Sequence, residues 1–106
     1  MSSKNILLLG RKGIIAQDAI SHINNPRFTI YGGTCIEDVR TVFAQTQNKI
    51  DHVFMGAGID LDNRLDIVRE VFESSGETAV HLKDAKSGPA GFLPFVKGVL
   101  EGVYSN

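Results

Sequence analysis

Gly10, Gly13 and Ala16 stand at three-residue intervals in KNILLLGRKGIIA, directly after an apolar run, with Arg11 and Lys12 between the first two. Glycines at this spacing let a chain turn tightly and bring backbone close to a ligand. The amides of a following helix then donate to an anion, and a nearby cation adds charge. The chemistry available to Gly10, Arg11, Lys12, Gly13 and Ile14 is therefore phosphate binding. Gly56, Ala57 and Gly58 follow a second apolar run, Ile50 to Met55, and offer a second place where backbone can approach a ligand. For each loop the plainer reading is a short turn without a ligand.

Nucleophilic and acid–base groups are sparse. Cys35 follows a threonine that reads as a helix cap, where the helix N-terminus would favour a thiolate, so it is a candidate nucleophile or redox sensor; the alternative is a small packing residue. Asp84, Lys86 and Ser87 fall in a polar loop, where Asp84 and Ser87 are candidates for orienting a ligand or moving a proton, and a solvated turn explains them equally well. Asp60 and Asp62 read as helix caps rather than catalytic carboxylates. His22, His52 and His81 lack metal-ligand spacing and read as a cap, a surface residue and a satisfied core residue, so no metal site is expected.

The elements that must carry these groups alternate. Apolar runs begin near residues 5, 28, 50 and 78, each followed by a segment with apolar residues at helical spacing. The helical faces expected to be buried are Ile14, Ile15, Ala19, Ile20 and Ile23; then Ile36, Val39, Val42 and Phe43; then Leu65, Val68, Val71 and Phe72. Asn24, Asn25 and Pro26 stop the first helix, Thr34 and Glu37 form a capping box for the second, and Gly76 suits a left-handed stop for the third. The last helix is expected from about Pro89 to Tyr104. Four strand–helix units predict one α/β domain over residues 1–106, a small three-layer sandwich with four parallel strands and four helices. The expected strand order is 3-2-1-4, with 2-1-3-4 also compatible. In such sheets ligands bind beyond the carboxyl ends of the strands, where the order reverses. Gly10, Gly13, Gly32, Gly33, Gly56, Gly58 and Gly88 all follow strands and would gather at that edge.

Gly10 to Ala16, a G-x-x-G-x-x-[G/A] segment between an apolar strand and a helix, resembles the nucleotide-binding loop of the atypical and extended short-chain dehydrogenase/reductase families. IDHVFMGAGI, Ile50 to Ile59, is similar to the strand of that family that ends in Asn-Ala-Gly. The resemblance covers the first half of a Rossmann-like NAD(P)-binding domain and implies a bound dinucleotide, NAD or NADP. Gly10, Arg11, Lys12, Gly13 and Ile14 would then lie on phosphate, and Gly56, Ala57 and Gly58 on the adenosine side. Two departures limit it. After the second strand the chain reads Tyr31-Gly32-Gly33-Thr34, without the family's acid or arginine for the ribose, and no Tyr-x-x-x-Lys pair occurs. Dehydrogenase catalysis with that machinery is not expected. A small enzyme acting on a carbonyl or acyl compound at the same edge, and a non-catalytic assembly subunit, are the other readings.

Composition bounds the partners. Net charge is −1 with no basic block, which argues against nucleic acid and a charged membrane surface. No apolar run is long enough to span a bilayer, the first residues lack a secretory pattern, and a single cysteine excludes an internal disulfide, so a cytoplasmic location is expected. In the last helix Phe92, Val96, Val99, Leu100 and Val103 form one stripe, flanked by Leu93, while Gly91, Gly98 and Gly102 share a neighbouring face with Phe95. Helical glycines cost about 1 kcal/mol each relative to alanine. Close approach of another backbone would offset that cost, so a homo-oligomer formed through the C-terminal helix is expected.

Overall fold

The computed structural model describes residues 3–11, 16–86 and 88–104. Its elements are β1 (Lys4–Leu9), α1 (Ala16–Ile23), β2 (Phe28–Gly33), α2 (Ile36–Gln45), β3 (His52–Met55), α3 (Leu61–Ser74), β4 (Ala79–Leu82), a 3₁₀ turn (Pro89–Gly91) and α4 (Phe92–Tyr104). All strand pairings are parallel, and the chain is the expected three-layer α/β sandwich. Leu7, Leu9, Val53 and Met55 face α2 and α3 through Val39, Phe43, Ile67 and Val71. Ile6, Leu8 and Phe54 face α1 and α4 through Ala19, Ile23, Phe92, Val96 and Leu100.

The strand order is β2-β1-β3-β4, the second of the two orders compatible with the sequence, and not the expected 3-2-1-4. Burial explains the correction. Ile6 to Leu9 and Val53 to Met55 are fully buried, as strands covered on both faces and flanked on both sides must be. β2 and β4 carry Thr29, Tyr31, Ala79 and His81, which are half-buried or exposed, and these strands take the two edges.

Helix faces shift in three places. Ile20 is 51% exposed while Ala19 and Ile23 are buried; Ile14 and Ile15 lie outside the described residues. In α3 the buried residues are Ile67 and Val71, and Leu65 and Phe72 are each 50% exposed, because the helix turns its Ile67 face to the sheet. Val103 is 54% exposed at the end of α4. The caps differ in detail as well. Asp60 caps α3 as expected, accepting from Asn63 N at 2.9 Å. For α2 the N-cap is Cys35 rather than Thr34, and Asp38 rather than Glu37 reaches back, its Oδ2 accepting from Thr34 N at 2.7 Å. Asn24 ends α1 with φ 50°, whereas Gly76 does not adopt a left-handed conformation and α3 ends at Ser75 in extended backbone.

Candidate functional site

The order β2-β1-β3-β4 reverses direction between β1 and β3, so the crevice for a ligand opens between the loops that follow these two strands. The hydrogen-bond ladder continues one residue past the strands. Gly10 N donates to Gly33 O at 3.2 Å, Gly56 N to Leu9 O at 2.9 Å and Lys83 N to Met55 O at 2.9 Å. Thr34, Gly10, Gly56 and Lys83 therefore form a row across the carboxyl edge, with neighbouring strands about 4.8 Å apart.

Gly10 and Gly56 meet in this row at the switch point, and the loops behind them touch. A Cβ on Gly58 would lie 3.1 Å from Arg11 Cβ, so a larger residue would press on the arginine stem. Arg11 is exposed beside this contact. Lys12, Gly13 and Ile14, expected to complete the phosphate loop, lie outside the described residues, as does Ser87. Other glycines at this edge serve the chain's own geometry. A Cβ on Gly33 would meet Asp38 Cβ at 2.7 Å, and Gly88 has φ +71° in the turn before α4.

Lys83 is the site residue that sequence reasoning missed. It is 4% exposed, and its Nζ donates to Asp84 Oδ1 at 3.0 Å and Asp84 O at 3.2 Å. Lys83 thus follows Gly56 in the edge row, and its ammonium is held by an exposed carboxylate. The signal was present, because the first residue beyond a parallel strand stands at the edge where ligands bind. Asp84 is accordingly the ion-pair partner of Lys83. Cys35 lies at the same edge beside Thr34, half-buried at the start of α2. Its neighbour Asp38 is held below the usual carboxylate range, first by the Thr34 N–H.

Comparison with family models, curated proteins and solved structures finds no match. The site rests on its own geometry.

A second cluster lies toward the opposite end of the sheet, between β3, β4 and the end of α4. His52 Nδ1 is 3.0 Å from His81 Nε2, and His52 Nε2 is 2.8 Å from the Tyr104 hydroxyl. His52 is buried, not at the surface as expected, because β3 is a central strand. Its ring stacks on His81 at 5.2 Å, and Tyr104 in turn lies under the Arg27 guanidinium at 5.1 Å. Burial lowers the pKa of both imidazoles, and for His52 the neighbouring His81 lowers it further. Burial also raises the Tyr104 hydroxyl. The three groups form a neutral head-to-tail chain in which every donor runs toward Tyr104 or every donor runs toward His81. Among the described residues no group of three or more His, Cys, Asp or Glu side chains could hold a metal ion, and no helix is long and apolar enough to cross a membrane.

Proposed function

We propose that the chain is a small Rossmann-like module that binds a nucleotide or another phosphate-bearing small molecule in the crevice between β1 and β3, working as a homo-oligomer in the cytoplasm. The observation that carries the reading is the meeting of Gly10 and Gly56 at the switch point, with Gly58 packed on Arg11. The amides of Gly10 and Gly56 already donate to Gly33 O and Leu9 O, so what backbone without side chains offers at these two adjacent strand ends is close approach of a phosphate to the loops that follow. Arg11, exposed beside Gly58, supplies positive charge. NAD and NADP are the dinucleotides that the resemblance of the first loop favours. The proposal is one of binding and assigns no catalytic residue.

The test is a thermal-shift titration with NAD(H), NADP(H) and ATP. A ligand present at a hundred times its Kd stabilises by about 2.7 kcal/mol, a rise of roughly 10 °C or more for a domain of this size. Arg11→Ala should reduce that rise. No stabilisation by any of the compounds contradicts the proposal.

A further inference from the structure

Side chains from β3, β4 and α4 meet in a chain of two short gaps. His52 Nδ1 faces His81 Nε2 at 3.0 Å, and His52 Nε2 faces the Tyr104 hydroxyl at 2.8 Å. Each gap takes one hydrogen. Two added protons therefore act differently on this cluster. After the first, the pair carries a hydrogen on His81 Nδ1, one between the rings and one on His52 Nε2, and both gaps stay bonded. Tyr104 then accepts from His52, and its own hydrogen turns away. The second proton has no place except between the rings. There two N–H groups would face each other at 3.0 Å with both imidazoles charged, so one ring has to leave.

Position in the sheet decides which ring moves. His52 begins a central strand, is buried, and is bonded at both ring nitrogens, with Tyr104 edge-on to its ring. His81 is half-buried on the edge strand β4, and its Nδ1 has no partner among the described residues. Its other tie is a stack on Phe54, with centroids 4.5 Å apart. Phe54 is itself fully buried between this ring and Phe95 of α4.

The surrounding charges leave the second proton uncompensated. β1 brings Lys4, and the turn before β2 brings Arg27, both over the Tyr104 ring. The one favourable charge acting on His52 is Asp51, just before β3. On α4, Glu101 lines a groove with Arg27 and Tyr104, Lys97 stands two turns before Tyr104 on the same side, and Phe95, the residue against Phe54, is uncharged.

We propose that His52, His81 and Tyr104 form a two-step pH switch, in which the first proton fixes the direction of the hydrogen-bond chain and keeps it closed, and the second expels the His81 ring and uncovers Phe54. The lowered pKa of both imidazoles, from burial and for His52 also from His81, agrees with a pair that resists charging. The switch stands apart from the glycine crevice and does not depend on a ligand there.

Nuclear magnetic resonance of the histidine rings, the Phe54 ring and the β4 amides between about pH 8 and pH 4 tests it. His22→Gln removes the third histidine, and circular dichroism follows the fold. The pair should titrate in two steps at least about tenfold apart in proton concentration. Phe54 and the amides of Val80, His81 and Leu82 should respond only in the second, with the fold retained. His81→Phe keeps a ring on Phe54 and removes the facing nitrogen, so the second-step response of β4 should vanish. A single unsplit step, a response of Phe54 and β4 already in the first, unfolding in place of the second, or a β4 response that persists in His81→Phe overturns the proposal.

Discussion

His52 Nδ1 lies 3.0 Å from His81 Nε2, joining the first residue of β3 to the third residue of β4 through their side chains. Two imidazoles at that distance share one hydrogen between them while neutral, and a proton added to His52 meets Lys4 nearby, with Asp51 as the compensating charge. The Tyr104 hydroxyl closes the chain from α4.

Stability should therefore fall on acidification. The folded-state pKa of both histidines is lowered from an ordinary value of 6.5. The unfolded chain takes up protons first, so stability is full above that value and declines as pH drops below it. The slope is limited to about 1.4 kcal/mol per pH unit for each imidazole. Urea unfolding between about pH 8 and pH 5 measures it. A flat profile would contradict the neutral pair.

Tyr104→Phe should destabilise the protein by about 1–3 kcal/mol, because it leaves a buried ring nitrogen of His52 without its partner. The ring contact with Phe28, at 5.6 Å between centroids, is kept. The urea midpoint is the readout, and an unchanged midpoint would show that water replaces the hydroxyl.

Glycines at the two ends of the molecule should respond oppositely to alanine. Gly33→Ala forces a Cβ to 2.7 Å from Asp38 Cβ and 3.1 Å from Leu9 Cδ2, and should cost about 1–3 kcal/mol. Gly98→Ala and Gly102→Ala meet nothing within 4 Å and should each stabilise α4 by about 0.5–1 kcal/mol. Thermal midpoints of the three variants decide it.

The strand–helix alternation was legible because each strand is a continuous apolar run bounded by glycine or a polar turn, and each helix has period-3.6 apolar residues. Strand order was harder, since it depends on which strands are covered on both sides. The polar residues of β2 and β4 carried that information, but Thr29 and His81 were not weighed as marks of edges. The histidine pair followed from the order. With 3-2-1-4, β3 and β4 lie at opposite edges, so His52 and His81 could not meet. The glycine crevice was legible as a set of residue types, and the order β2-β1-β3-β4 selected Gly10 and Gly56 as its centre. In α3, Leu65 and Phe72 were misread as core, whereas Val71 is buried and Val68 packs against the core; periodicity alone does not say which of two apolar faces meets the sheet.

Amide chemical-shift mapping on the isotopically labelled chain, titrated with NADP(H), NAD(H) and ATP, tests the central claim most directly. The account predicts that the largest shifts fall in the loops after β1 and β3, among them Gly10, Arg11, Gly56, Ala57 and Gly58. Titration that moves none of these amides, or moves only those around His52 and Tyr104 at the opposite end, would contradict it.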